Sequence, residues 1–151
     1  MIKIICLGKI KENYLKEAIN DYQKRLSKYT TVEIIEIMDE SGNDAKVILK
    51  KEKDKILKHI NQKDYIVTLE LDKEEISSTE FSKKIEKTFI SYPNITFIIG
   101  SSYGLDDEIK NLSNYKLSFS KMTFPHGLFR VILLEQIYRA FKIINNEEYH
   151  K

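Results

Sequence analysis

The sequence has little cysteine, proline or glycine, no tryptophan and almost no net charge. A single cysteine, Cys6, cannot form an internal disulfide and fits a reducing compartment, so we expect a cytoplasmic protein. Two prolines and five glycines leave little room for linkers, and 151 residues suit one domain spanning residues 1–151. No apolar stretch approaches the ~20 residues of a membrane span, and residues 1–8 are typical of a strand rather than a signal peptide, so we expect no membrane partner.

The charged and the metal-binding residue types indicate no particular partner. The balance of 25 basic and 23 acidic residues neither requires nor opposes a nucleic-acid partner. Cys6 lies in an alternating apolar segment, which favours a core thiol over a nucleophile. The three histidines, His59, His126 and His150, are far apart, and no cysteine or histidine pair has ligand spacing. We therefore predict no metal site.

Strand and helix patterns alternate along the chain. Period-two or continuously apolar segments predict strands at residues 2–8, 32–38, 64–71, 95–99 and 115–119. Apolar residues that recur with a period near 3.6 residues predict helices at 12–29, 44–60, 77–92 and 125–145, and a short helix from Asp106. Ser77 and Glu80 have the spacing of a capping box, and Pro125 suits the first turn of the last helix. The alternation predicts an α/β domain with a mostly parallel sheet covered by helices on both faces.

The last helix has scarcely any polar face. Its apolar residues recur all round the helix, from Leu128 to Ile144. Such a helix needs cover on every side, and a domain of this size has little material to supply it. We therefore expect a homodimer with this helix at the interface.

Three strand exits could hold a small ligand, because ligands of parallel sheets bind beyond the carboxyl ends of the strands. They are residues 68–70, 100–104 and 119–124. Glycine at positions 100 and 104 permits positive φ and removes side chains that would block a ligand. We expect Gly100→Val to abolish ligand binding while the fold survives. The turn is neither a Walker A loop nor a dinucleotide fingerprint, which argues against ATP and NAD, and by itself it is also compatible with an ordinary turn.

Several polar residues near the C-terminus have competing interpretations. Tyr149 could stack on a base or fill an apolar groove, and His150 and Lys151 could act in chemistry or be solvated. His126 could organise the ligand loop or be structural. Arg130 and Arg139 could pair with Glu135 or with a carboxylate of a partner subunit, or they could contact RNA phosphate.

Several motifs of the chain are similar to those of one known family. Residues 98–105, 117–126, 130–131, 134–140 and 149–151 resemble the RlmH-type ribosomal large-subunit pseudouridine methyltransferases, the smallest members of the SPOUT class. The likeness covers essentially the whole chain. It implies a trefoil-knotted α/β domain that works as a homodimer, binds S-adenosylmethionine in the knot and methylates N3 of a pseudouridine in helix 69 of 23S rRNA on assembled ribosomes.

The resemblance also implies which residues carry the function. The catalytic residues would be Tyr149, His150 and Lys151. The cofactor contacts would be Leu69, Gly100, Phe119, Ser120, Lys121, Met122, Thr123 and Phe124, all at the three strand exits. The family usually has a second glycine directly after the first in the glycine turn. This chain has Ser101 there, so the position must accommodate a side chain.

Two other functions compete with this one. A non-catalytic ribosome-associated RNA-binding factor would keep the fold without the chemistry. A SPOUT methyltransferase acting on tRNA would be expected to carry a further RNA-binding domain, which the sequence does not show.

Overall fold

The computed structural model describes residues 1–151 and contains five strands and five helices in the predicted alternation. The strands are β1 (Ile2–Leu7), β2 (Val32–Ile37), β3 (Tyr65–Glu75), β4 (Ile95–Ile99) and β5 (Tyr115–Ser118). The helices are α1 (Asn13–Leu26), α2 (Ala45–Leu57), α3 (Ser78–Ser91), α4 (Asp107–Leu112) and α5 (His126–Ile144). None of these helices is both long and apolar enough to span a membrane.

All five strands form one sheet in the order β2-β1-β4-β3-β5, and every neighbouring pair is parallel. Ile2 pairs with Val32 on one side and with Ile95 on the other, and Tyr65 pairs with Ile95. The carboxyl ends of the strands therefore meet at one edge. The predicted parallel α/β sheet is confirmed.

Two apolar cores lie on opposite faces of the sheet, because successive strand residues point to opposite sides. In β1, Ile4 and Cys6 belong to the larger core, whereas Ile5 and Leu7 belong to the smaller one. Helices α1, α3 and α5 cover the larger core, and α2 and α4 cover the smaller. The predicted cover on both faces is confirmed.

Side-chain caps explain where three of the helices begin. Ser77 and Glu80 form the predicted capping box at the start of α3, with both reciprocal hydrogen bonds present. The Asp44 side chain accepts from the amide of Lys46, and that of Asp106 accepts from the amide of Glu108. Each cap satisfies an amide that the first turn leaves without a partner.

More of the apolar surface of α5 is buried within the chain than the sequence led us to expect. Helices α1 and α3 flank α5 and bury much of its surface within the chain, including Leu133, Leu134, Ile137 and Phe141. The chain thus supplies more of the cover than its size suggested, because α5 lies between two other helices. Exposed apolar surface remains at the N-terminal end of α5, where Leu128 is 41% exposed.

The two arginines of α5 have different partners. Arg139 pairs with Glu135 one turn earlier, as expected. Arg130 is 3% exposed, and its Nη1 lies 2.8 Å from Oε2 of Glu36 on β2. The expected pairing of Arg130 with Glu135 or a partner-chain carboxylate is wrong, because the Arg130 side chain extends across the carboxyl ends of β1 and β2. Its burial also removes it from RNA phosphates.

Candidate active site

A large cavity opens at the carboxyl ends of β3, β4 and β5. Its volume is about 1010 Å³, at the upper end of the ~300–1,000 Å³ typical of small-molecule sites. All three predicted strand exits contribute to its lining. Of the predicted cofactor residues, seven line the cavity, namely Leu69, Gly100, Phe119, Ser120, Met122, Thr123 and Phe124. Lys121 is exposed and does not line it.

The glycine turn after β4 closes tightly on itself. The amide of Gly104 donates to the carbonyl of Ser101 at 2.9 Å, and Gly104 has φ +86°. A Cβ built on Gly100 would lie 2.3 Å from the carbonyl oxygen of Gly104. Gly100 is thus required first by the backbone of its own turn. The expectation that the fold tolerates Gly100→Val is not supported, because backbone atoms would have to move.

Ser101 stands where the resembled family has a second glycine, and its side chain has a buried hydrogen-bond partner. The Ser101 hydroxyl donates to Oε2 of Glu52 at 2.8 Å, and Oε1 of Glu52 accepts from the amide of Glu40 at 3.1 Å. Glu52 is 2% exposed and Ser101 is 9% exposed. A buried carboxylate needs such donors, so the pair fixes the turn to α2.

A β-bulge in β3 forms another part of the cavity wall. The pairing of β3 with β5 shifts register between Leu69 and Glu74, and Asp72 within the shift has φ 55°. The Ser118 hydroxyl binds the carbonyl of Glu70 and accepts from the amide of Lys73 at 3.0 Å. The bulge directs Glu70 and Asp72 to the cavity. The sequence pattern predicted that this strand ends at residue 71. It missed the bulge because residues 72–75 are all charged and show no apolar alternation.

Aromatic side chains build the wall between β5 and α5. Phe129 packs edge-on against Phe119 with ring centroids 5.1 Å apart and stacks on Phe124 at 6.1 Å. His126, the first residue of α5, also lines the cavity and is exposed. The amide of Met122 donates to the hydroxyl oxygen of Ser120 at 3.0 Å, which shapes the loop between Phe119 and Phe124.

The start of α5 is fixed to the end of β1 by Arg130. Its Nη2 donates to the carbonyls of Leu7 at 3.1 Å and Gly8 at 2.7 Å, in addition to the ion pair with Glu36. These bonds hold the cavity wall formed by His126 and Phe129 in a set position relative to the sheet.

The predicted catalytic tail packs elsewhere in the same chain. The Tyr149 ring meets Tyr138 edge-on at 5.1 Å, and its hydroxyl donates to Oε1 of Glu135 at 3.1 Å. The Arg139 guanidinium lies 4.7 Å above the Tyr149 ring and 3.2 Å from Nδ1 of His150. None of these residues lines the cavity. Glu135 lies nine residues after His126, roughly 13 Å further along the helix.

The environment of Tyr149 determines its protonation state. Burial, followed by the hydrogen bond to Glu135, raises the pKa of Tyr149 to about 12. The hydroxyl therefore stays protonated at neutral pH and acts as a hydrogen-bond donor rather than a base. Lys151 is exposed at the chain end.

Cys6 is a core residue, as predicted. It is fully buried, and burial raises the pKa of its thiol to about 12. A thiol with this pKa carries almost no thiolate at neutral pH, so it does not serve as a nucleophile.

The fold is that of a methyltransferase class. A family model described as "Predicted SPOUT methyltransferase" matches residues 1–150, and the chain belongs to this family. A probable methylase family protein from Haemophilus influenzae has a related fold, with a TM-score of 0.56 at 14% identity over 99% of this chain and 70% of that one.

Curated relatives match the chain over its length. The ribosomal RNA large subunit methyltransferase H of Ruminiclostridium cellulolyticum is 50% identical, with 99% of each chain covered. The protein of the same name from Caldicellulosiruptor saccharolyticus is 48% identical, with 100% of each chain covered. The family resemblance read from the motifs is confirmed.

Proposed function

We propose that this protein transfers a methyl group from S-adenosylmethionine to N3 of a pseudouridine in helix 69 of 23S rRNA within assembled ribosomes. The observation that carries the proposal is the cavity of about 1010 Å³, in which three strand exits of a SPOUT methyltransferase meet. The full-length similarity to ribosomal RNA large subunit methyltransferases supports an rRNA substrate. The choice of nucleotide and ring atom follows from the motif resemblance.

The cavity residues suit S-adenosylmethionine. Leu69, Ile99 and Leu105 provide an apolar surface for the adenine ring, and the glycine turn allows close approach of the backbone. The carboxylates of Glu70 and Asp72 suit the sulfonium and ammonium charges. When bound, the cofactor supplies an electrophilic methyl group, so the protein mainly has to align that group with its acceptor.

The apolar rim of the cavity supports a homodimer. Met122 is 75% exposed, Phe124 36% and Leu128 41%. Met122 and Phe124 lie in the loop after β5, and Leu128 lies in the first turn of α5. We propose that a second copy covers this patch, as apolar patches commonly mark interfaces. The expected signature is twice the chain mass of 17.8 kDa in light scattering at micromolar concentration.

A dimer would also explain the separation of the tail from the cavity of its own chain. The tail cluster of Tyr149, Arg139 and His150 lies on the C-terminal half of α5, away from His126. We propose that the tail of each subunit completes the cavity of its partner. The tail of one subunit, packed on the C-terminal half of its own α5, would then face the strand-exit loops of the other.

The chemistry requires removal of the proton on N3 of the target ring. His150 is exposed, and its Nδ1 accepts from the Arg139 guanidinium at 3.2 Å, because a guanidinium can only donate. To act as the base, the imidazole would have to leave this contact and take up the N3 proton on Nδ1. Tyr149 stays protonated, which suits it to donate a hydrogen bond or to stack on a base. Lys151 would offset negative charge that develops on the ring or bind a phosphate.

Label transfer tests the proposal and separates it from the alternatives. Protein and S-adenosylmethionine with a labelled methyl group are incubated with ribosomes from cells without helix 69 methylation, and in parallel with free tRNA. We expect label in 23S rRNA alone. Label in tRNA would favour the tRNA-methylating alternative. Ribosome binding with no transfer, and no heat of cofactor binding in calorimetry, would favour the non-catalytic factor.

A further inference from the structure

The loop that follows β1 lies beside the cavity. Strands β1 and β4 are parallel neighbours, so Gly8 and Gly100 leave the sheet at the same edge. Ile10 and Leu15 are both buried against the start of α5. A Cβ built on Gly127 would lie 2.8 Å from Cδ1 of Leu15 and 3.7 Å from Cδ1 of Ile10. Gly127 directly follows His126, a residue of the cavity wall.

The backbone of this loop is fixed from both sides. Arg130 holds the carbonyls of Leu7 and Gly8, and the amide of Ile10 donates to Oε2 of Glu36 at 2.9 Å. Exposed side chains on the loop therefore have a set position relative to the cavity, and little backbone entropy remains to be lost when a ligand binds there.

Unpaired positive charge is present on this loop and on the first turn of α1. Residues 8–17 contain Lys9, Lys11 and Lys16 against the carboxylates of Glu12 and Glu17. Three positive charges minus two give this segment a net charge of +1. All three lysines are exposed, and none forms a salt bridge.

Two of the five lysines of α2 differ in this respect. Lys53 is paired with Glu108 at 3.0 Å, and Lys55 is paired with Glu40 at 2.7 Å. These pairs offset part of the charge of α2 within the protein itself. Lys9, Lys11 and Lys16 remain available to an external anion.

An exposed aromatic ring accompanies these cations. Tyr14 is 69% exposed and takes part in none of the aromatic pairs of the chain. Lysines bind backbone phosphates, and an exposed ring offers a surface on which an unpaired base can stack. The combination on the loop and the first turn of α1 matches single-stranded or hairpin-loop RNA.

We propose that Lys9, Lys11, Tyr14 and Lys16 form an RNA-docking surface, which we name the β1–α1 surface. The inference rests on the proposed function, because the RNA would be the one whose target base enters the adjacent cavity. The lysines bind phosphates that flank the target nucleotide, and Tyr14 stacks on a neighbouring unpaired base. The surface acts in substrate docking and takes no part in methyl transfer.

A triple variant with a matched control tests this surface. The test variant carries Lys9→Ala, Lys11→Ala and Lys16→Ala. The control carries Lys28→Ala, Lys58→Ala and Lys87→Ala, which removes the same charge from exposed lysines near the amino ends of the strands. Binding to a synthetic helix 69 hairpin is measured over a range of salt concentrations, and methyl transfer is measured with ribosomes.

The logarithm of the RNA-binding constant falls with the logarithm of the salt concentration. We expect this fall to be shallower by about 2 in the test variant, since each lost phosphate contact accounts for roughly 0.7–0.9 of the slope. Its KM for ribosomes should rise about tenfold or more with kcat nearly unchanged, while the control matches the parent. Tyr14→Ala should raise KM, and Tyr14→Phe should restore it because the ring remains. S-adenosylmethionine binding should be equal in all variants.

Equal salt slopes and equal KM values for the two triple variants would overturn the inference while the proposed function stands. Failure of the proposed function alone would give a different result. If the parent binds the hairpin with the steeper slope but transfers no methyl group to ribosomes, the proposed function fails and the docking surface remains. A parent that neither binds nor methylates RNA would refute both.

Discussion

The hydroxyl of Ser101 donates to the buried carboxylate of Glu52 at 2.8 Å and thereby ties the glycine turn of the cavity to α2. Ser101 occupies a position where the resembled family usually has glycine, and this chain gives its side chain a buried partner 49 residues earlier in the sequence. A side chain at this position is thus compatible with the cavity that Ser101 lines, since its hydroxyl is bonded to Glu52 on α2.

Removal of the Ser101 hydroxyl should loosen the cavity wall. Ser101→Ala leaves Oε2 of Glu52 without its donor, which should lower the free energy of unfolding by about 1–3 kcal/mol. The affinity for S-adenosylmethionine should fall as well, because the turn becomes mobile. Urea unfolding and calorimetry measure the two effects. Ser102→Ala, at an exposed neighbour in the same turn, is the control. Parental affinity and stability in Ser101→Ala would show that the hydrogen bond does not support the site.

Arg130 should be critical for stability. Arg130→Met keeps the length of the side chain but leaves Glu36 and the carbonyls of Leu7 and Gly8 without their donor. The Glu36 side chain is 38% exposed, so water can replace its partner. The loss then comes mainly from the backbone carbonyls left without a donor, at about 1–3 kcal/mol. Chemical denaturation should show the loss. Arg25→Met, which removes an exposed pair with Asp21, should leave the unfolding midpoint nearly unchanged. Similar midpoints for the two variants would contradict the anchoring role of Arg130.

Filling the cavity should block the cofactor without harming the fold. Thr123 is exposed and lines the cavity, so Thr123→Trp adds a large ring where S-adenosylmethionine is proposed to bind. We expect loss of binding in calorimetry with an unchanged unfolding midpoint. Lys121→Trp, two residues earlier and outside the lining, should bind normally. This pair is a cleaner test than a substitution at Gly100, where a Cβ would meet the carbonyl of Gly104. Normal binding by Thr123→Trp would place the cofactor elsewhere.

The tail should contribute more to catalysis than to stability. Deletion of residues 149–151 removes the Tyr149 contacts with Tyr138 and Arg139, which should cost about 1–2 kcal/mol. His150→Ala leaves those contacts in place, yet methyl transfer should fall by about 10²–10⁴ if His150 accepts the N3 proton. Cofactor binding should persist in both variants. Initial rates with ribosomes, compared with unfolding midpoints, separate the two roles.

Mixed dimers show whether the tail acts on the partner subunit. A tail-deleted chain combined with a full-length Thr123→Trp chain should recover activity, since one of the two sites would have both an open cavity and an intact tail. Transfer at the parental rate by the tail-deleted homodimer would exclude a catalytic role for Tyr149, His150 and Lys151.

Local patterns were sufficient to predict the elements of the fold, because strand alternation, helix periodicity and caps such as Ser77 depend on neighbouring residues. Long-range relationships were not predictable from such patterns. Arg130 meets Glu36, 94 residues away, and the β3 bulge arises from pairing with β5. The cofactor residues followed from family motifs rather than from physics. The trefoil knot and the homodimer stay predictions.

The proposed methyl transfer is tested most directly by mass spectrometry of helix 69 from ribosomes lacking its methylation, after incubation with this protein and isotopically labelled S-adenosylmethionine. We expect one labelled methyl group on a pseudouridine of that hairpin, attached at N3, and no label when the Thr123→Trp variant replaces the parent. Unlabelled helix 69 after incubation with the parent protein, or label on another RNA or ring position, would contradict the proposal.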